Sequence, residues 1–226
     1  MKRCVIVGGA EIRERSFVRS CLSPEDFYIV CDSGLKHREA LKIRPDLIVG
    51  DFDSHENPHL PVETIVLPRR KDDTDTMFAV KEALRRGFTD FLLIGVIGAR
   101  FDHSFANVSI LLYLSSRGAR GKIIDDYSER EMVSESGAEI PDRYPYFSLL
   151  AMDGPAKGVT IRDALFPLED AVIGCEYQYG VSNEVLPGKK ARVTVKEGRL
   201  LLIKDRPERE KSNVKSMVVL IPQRKE

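Results

Sequence analysis

The stretch PDLIVGDFDS, residues 45–54, is an apolar run that ends in a glycine and is followed by two aspartates around a phenylalanine. An apolar run with no polar alternation is the mark of a strand buried on both faces, as in a parallel sheet. In an extended chain residues i and i+2 project to the same face, so Asp51 and Asp53 are expected to point together and Phe52 away. Two carboxylates aimed at one spot repel, and a metal ion or a basic side chain is expected between them.

Outward from this stretch the same texture repeats. RCVIVGG, FYIVCDS, ETIVLP, FLLIGVIG and GKIIDD are short apolar runs, separated by helical stretches at Glu11 to Leu22, Gly34 to Lys42, Thr74 to Arg86 and Ser104 to Ser116. The best-defined helix is TDTMFAVKEALRRG: Met77, Val80 and Leu84 share a face, acids stand at its start, Arg85 and Arg86 at its end, and Gly87 stops it. After residue 127 the segments YFSLLAM, GVTIRDALFPL, ARVTVKEGRLLLI and SMVVLIP are β-rich, with turns of Gly, Pro and charge between them. The expected fold is α/β: a doubly wound, mostly parallel sheet domain over residues 1–127, followed by an all-β sandwich domain over 128–226. VTVKEGRLLL reads as a hairpin turning at Gly198, and KDRPEREK (204–211) as a solvated loop.

Composition narrows the functions available. The 226 residues carry 35 Lys plus Arg against 35 Asp plus Glu, so no global field favours nucleic acid or an anionic membrane. The amino-terminal apolar run is too short for a signal-peptide core, and no segment approaches a membrane span. Four cysteines (Cys4, Cys21, Cys31 and Cys175) lack metal-ligand spacing and read as free thiols of a reducing cytosol. A cytoplasmic protein without nucleic-acid or membrane partners is expected.

The polar residues fall at strand ends. Gly8 and Gly9 follow the first strand, Asp32 the second, Asp51 and Asp53 the third, Lys71, Asp72 and Asp75 the fourth, and Arg100 and Asp102 the fifth. All are carboxyl ends, the edge at which open α/β sheets bind ligands. Taken singly, several have ordinary structural uses. Gly8-Gly9 without a GxGxxG or Walker pattern reads as a tight turn, and acids at 72–75 as helix caps. Asp32 reads equally as a structural turn residue or N-cap and as a site residue, and His103 and Asn107, four apart on a helix, are candidate ligands, although local hydrogen bonding is the commoner use of a first-turn histidine. The Asp51/Asp53 pair has no such use. Carboxylates without clustered His or Cys select Mg²⁺, with Mn²⁺ as the alternative, and Arg100 and Lys71 beside them suit a triphosphate.

Together PDLIVGDFDS, KDDTDT and GARFDHSFAN, with CDSG upstream and GVSNE downstream, resemble the thiamine pyrophosphokinase family, over about Val5 to Ile203. The resemblance implies an α/β domain joined to a β-sandwich, a homodimer, and transfer of pyrophosphate from ATP to thiamine, giving thiamine diphosphate and AMP. It implies that Asp32, Asp51, Asp53 and Asp75 hold Mg²⁺. Lys71, Thr74, Arg100 and Asp102 would lie at the phosphates and nucleotide, with Gly9 and Asp72 beside them, and Gly98 would let the backbone approach. Ser33, where many relatives have glycine, either bonds the ligand or caps the next helix. Ser182 and Asn183 would contact thiamine across the dimer interface, and Phe166, standing where some relatives carry tryptophan, would pack on the thiamine rings. The usual second glycine of the GGR element is Ala99 here. A general base among Asp51, Asp53 and Asp75 is left open. The rival readings are a pyrophosphokinase acting on another alcohol such as a hydroxymethyl-pterin, a non-catalytic nucleotide or thiamine sensor, and a Mg²⁺-dependent phosphohydrolase.

Overall fold

The computed structural model describes residues 2–52, 59–70 and 72–207. The chain begins with β1 (Cys4–Val7), α1 (Arg15–Ser20), β2 (Phe27–Cys31), a 3₁₀ segment (Asp32–His37), α2 (Arg38–Leu41), β3 (Leu47–Gly50) and β4 (Glu63–Val66). It continues through α3 (Asp75–Arg85), β5 (Asp90–Ile94), α4 (Phe101–Ser115) and β6 (Arg120–Ile124). The remaining described elements are strands: β7 (Ser128–Val133), β8 (Ala138–Pro141), β9 (Phe147–Ala151), β10 (Ala156–Arg162), β11 (Leu168–Ile173), β12 (Lys190–Thr194) and β13 (Leu200–Asp205).

Among the described residues these strands form two sheets: a nine-stranded one ordered β4-β3-β2-β1-β5-β6-β7-β13-β9 and a four-stranded one ordered β11-β10-β12-β8. β1 to β6 are parallel, whereas β7, β13 and β9 join antiparallel. Side-chain alternation divides the parallel part cleanly. Cys4, Ile6, Ile29, Leu47 and Leu93 pack with Val80 of α3 and Leu111 of α4 on one face. Val5, Val7, Val30, Ile48 and Ile94 pack with Val18 and Leu41, from α1 and α2, on the other. Both faces are therefore dry, which is why these strands read as unbroken apolar runs.

The expected boundary at 127/128 falls between β6 and β7, which pair with each other, so one sheet runs across it. Residues of β7, β9 and β13 (Val133, Phe147, Leu149, Leu200, Leu202) share a core with Ile140, Val159, Ile161 and Val193 of the antiparallel sheet. β7 is SEREMV, too charged to read as a strand. It forms one because its charges are matched. Lys204, 7% exposed, meets Glu131 at 2.6 Å and Glu129 at 3.3 Å, and the Tyr144 hydroxyl donates to Glu129 at 2.6 Å.

Several local expectations differ from what is observed. VTVKEGRLLL is not a hairpin: β12 lies in the four-stranded sheet and β13 in the nine-stranded one. After Thr194 the chain leaves β12 to pair Lys196 and Glu197 with Lys157, and Gly198, at φ +82°, turns it into the other sheet. The helix expected from Glu11 begins at Arg15, and that expected over 34–42 is a 3₁₀ segment plus one α-helical turn, closed by Lys42 at φ +56°. The 204–211 run is not all a solvated loop, since Lys204 and Asp205 end β13 and Lys204 is buried between its acid partners; residues 208–211 and SMVVLIP lie outside the described residues.

The far end of α3 is tied to the sheet by charge. Glu82 meets Arg85 and Arg86 at 2.7 Å each, and Arg86 reaches Glu63 of β4 at 2.5 Å. The Arg85 guanidinium, opposed by burial and aided by Arg86, brings the Glu82 carboxyl from 4.5 down to about 2. A depressed carboxyl stabilises the fold above its unfolded value and loses that contribution as pH falls through the folded one. Denaturant unfolding should accordingly show stability falling between pH 4.5 and about 2, with a shallower fall in Glu82→Gln. Phe147 is wholly buried where the two sheets meet. Phe147→Ala is expected to cost about 3–5 kcal/mol in urea unfolding.

Candidate active site

In the parallel sheet the chain runs outward from β1 through β2 and β3 to β4, then returns to the other side of β1 for β5 and β6. This reversal opens a crevice between the carboxyl ends of β1 and β5, the usual ligand position in such sheets. A cleft of about 1040 Å³ lies there. Its walls are built by backbones in close approach. Gly8 N donates to Ile94 O at 2.9 Å and Ala10 N to Gly95 O at 2.7 Å, tying the loops after β1 and β5 together. A Cβ on Gly34 would stand 2.3 Å from Val7 O, so only glycine lets the 3₁₀ segment sit against the end of β1.

Asp32, Asp51 and Asp75 come from three separate elements: the end of β2, the end of β3 and the first turn of α3. Each offers a carboxylate oxygen, and these oxygens lie within 4.8 Å of one another. Asp32 is 2% exposed. The donor set is all hard oxygen, which fits Mg²⁺ or Mn²⁺ and no soft metal. The neighbouring Cys31 thiol is pushed up, first by burial and then by the charge of Asp75, with Asp32 adding less.

The parity argument for Asp51 and Asp53 does not hold. β3 ends at Gly50 and Phe52 adopts φ +55°, so the backbone is no longer extended where the argument needs it. Phe52 turns into the apolar cluster beneath α1 and α2. Among the described residues Asp51 meets Asp32 and Asp75 across the sheet. Asp53 and Lys71 lie outside the described residues.

Gly9, Ser33, Thr74, Gly98 and Arg100 also line the cleft. Thr74 caps α3, its hydroxyl oxygen accepting from Met77 N at 3.2 Å, and keeps its own proton to donate. Ser33 fills the space a Gly9 side chain would need. Gly98 packs on Ala10, where a Cβ would come within 2.9 Å of the alanine Cβ. Arg100 and Asp102 pair at 2.7 Å on the surface, which lowers the Asp102 carboxyl. Asp102 and Asp72 are not in the cleft wall.

Sequence reasoning passed over several cleft residues. Asp125 and Asp126 follow β6 and line the cleft with Tyr127. The strand-end rule that found Asp32 also finds them. Asp126 accepts from Arg13 N at 3.0 Å and Glu14 N at 2.9 Å, which fastens the loop after β1 and delays the start of α1. Ser104 Oγ bonds both Gly98 N and Gly98 O at 3.0 Å, and Asn107 Nδ2 donates to Val96 O at 2.8 Å. Asn107 thus positions the loop and does so through its side-chain amide. His37 is buried, with Nε2 2.7 Å from Ala10 O, and burial lowers its basicity.

Phe166, Ser182 and Asn183 gather in the antiparallel region, apart from this cleft. Asn183 is 5% exposed; its Oδ1 accepts from Phe166 N at 3.0 Å and Glu184 N at 2.9 Å, and its Nδ2 donates to Phe166 O at 2.7 Å. It fixes the backbone from which Phe166 projects, 60% exposed. Ser182, at φ +58°, is held through its N–H by Ser148 Oγ at 3.1 Å.

Fold and site define a mostly parallel α/β protein with a carboxylate cleft at its switch point, continued by an antiparallel β region. A family model described as the catalytic domain of thiamin pyrophosphokinase matches residues 18–123, and one described as the vitamin B1 binding domain of thiamin pyrophosphokinase matches 137–200. The chain belongs to the thiamin pyrophosphokinase family. No curated protein matches it in a sequence search. Among solved structures it is similar to the thiamine pyrophosphokinase of Bacillus subtilis, at 20% identity and TM-score 0.79, covering 92% of this chain and 100% of that one. The Geobacillus thermodenitrificans enzyme gives 23% and 0.77, covering 93% and 99%. The Candida albicans enzyme gives 12% and 0.68, covering 91% and 89%.

The closeness of Asp32 to Asp51 depends on Gly50, because a Cβ there would stand 2.5 Å from Asp32 Cβ. Gly50→Ala should therefore weaken Mn²⁺ binding, read by calorimetric titration, about 10–100-fold, the size of effect typical for groups that orient metal ligands.

Proposed function

We propose that this protein transfers pyrophosphate from ATP to the hydroxyl of thiamine, giving thiamine diphosphate and AMP. The observation that carries this reading is the set of three carboxylates from Asp32, Asp51 and Asp75, within 4.8 Å at the switch-point cleft of a chain in this family. In this reading Asp32, Asp51 and Asp75, with Asp53, hold Mg²⁺, and Mn²⁺ would serve. When bound, the ion neutralises phosphate charge and makes the β-phosphorus easier to attack.

The chain's own groups bind and orient. Arg100, at the cleft wall, meets the charge that develops on the phosphates, and Asp102 holds its guanidinium. Lys71 and Asp72 act from the segment before α3, and Thr74 offers its hydroxyl proton. Gly9, Ser33 and Gly98 shape the wall around the nucleotide. The thiamine hydroxyl attacks in line and AMP leaves.

Phe166 stacks on the cationic heterocycle, which an exposed phenyl ring can do. Asn183 acts by holding Phe166, since both faces of its amide are engaged by backbone. Ser182 lies beside it. Residues 1–127 form the doubly wound ATP and metal domain, and 128–226 the sandwich domain for thiamine and dimerisation. Because Phe166, Ser182 and Asn183 do not line the cleft of their own chain, each site is completed in a homodimer by the second copy. No helix among the described residues is long and apolar enough to cross a membrane, which is compatible with a cytoplasmic location.

Incubation with ATP, Mg²⁺ and thiamine should give AMP and thiamine diphosphate in equal amounts by chromatography, and neither without thiamine. Asp51→Asn should lower turnover by at least about 100-fold with an unchanged far-UV spectrum. ADP or thiamine-independent phosphate would overturn the reading. Mixing Asp51→Asn with Phe166→Ala subunits should restore roughly a quarter of wild-type turnover if sites are shared between copies. No restoration after subunit exchange would place each site within one chain.

A further inference from the structure

The amino-terminal edge of the parallel strands, opposite the carboxylate cleft, carries a second cleft of about 980 Å³. Lys2 before β1, Asp26 before β2, Asp46 before β3 and Val62 before β4 mark it as the other end of the same sheet. Its floor is apolar: Tyr28, Leu41 and Ile43 line it at 7%, 2% and 5% exposure. Its rim is basic, with Lys2, Arg19, Arg38, Lys42 and Arg44 all lining it.

The two acids in this cleft are already committed. Asp26 is bound by Arg3 at 2.6 Å and by Ser23 N at 2.8 Å, and Asp46 accepts from Tyr28 N at 2.8 Å. Arg38 has only a loose contact with Glu39, at 3.7 Å, and Lys2 lies over the Phe27 ring. Arg19, Lys42 and Arg44 make no ion pair or side-chain hydrogen bond among the described residues. In a chain whose charges balance overall, this is a local concentration of unmatched cations, which repel one another until an anion joins them. Guanidinium groups suit phosphate oxygens, bonding them in pairs. A concave basin with an apolar floor, and not a flat basic stripe, suits a small molecule better than a nucleic acid.

We infer that this second cleft binds the di- or triphosphate chain of a small molecule, whose body rests on Tyr28, Leu41 and Ile43. The site is independent of the carboxylate cleft and needs no divalent cation, because the protein itself supplies the positive charge.

The test is calorimetric titration of the full chain in EDTA with three probes in separate arms: inorganic triphosphate, ATP and thiamine diphosphate. At least one should bind, and high salt should weaken it. The Arg19→Gln/Lys42→Gln/Arg44→Gln variant should bind at least tenfold more weakly, with pyrophosphoryl transfer unchanged, while Lys42→Arg keeps the affinity. Asp51→Asn should bind as the wild type does, which separates this site from the proposed catalytic one. Equal affinity for all three probes assigns recognition to the phosphate chain, and preference for ATP or thiamine diphosphate adds the floor; either supports the inference. Absence of metal-free binding, binding indifferent to the triple variant, or binding lost in Asp51→Asn would overturn it.

Discussion

Three carboxylates with oxygens inside 4.8 Å are the constraint to which the rest of the molecule answers. At an effective dielectric near 20, each pair of full charges at that spacing repels by about 3 kcal/mol. A flexible loop would relax this by swinging the groups apart. Here Asp32 and Asp51 stand at the ends of strands buried on both faces, and Asp75 opens an eleven-residue helix packed on the same sheet. The apolar core holds the charges together, and the negative field it maintains is what a hard cation with phosphate would neutralise.

Glycine makes this arrangement sterically possible. Gly50 lets Asp32 approach β3, Gly34 lets the 3₁₀ segment close on β1, and Gly9 leaves room for Ser33. Around them, side chains of the cleft wall hold the loops: Asp126 the one after β1, Ser104 and Asn107 the one after β5. The described loops after β1 and β5 are thus fastened to neighbouring elements.

The two family regions are joined by more than a linker. The nine-stranded sheet continues through β7, β13 and β9, and those strands share a core with the second sheet. At the junction the buried Lys204 is matched by Glu129 and Glu131. Removing one member would strand a charge in a dry place.

The parallel half was legible because burial on both faces writes unbroken apolar runs, and the acids were found because open α/β sheets bind at strand carboxyl ends. Composition, strand order along the chain and the sharp apolar-to-acidic changes at Asp32 and Asp51 belong to the sequence alone. The antiparallel half was less legible. β7 hides among charges that only tertiary partners satisfy, from β6, Asp125, Tyr144 and β13, and β12 and β13, neighbours in sequence, part into different sheets because Glu197 pairs with Lys157. Asp51 and Asp53 were joined by a parity that the left-handed Phe52 breaks. What tertiary structure alone decided is which acids meet: Asp32, Asp51 and Asp75 are separated by 19 and 24 residues along the chain, and only the sheet order and the packing of α3 bring them to one point.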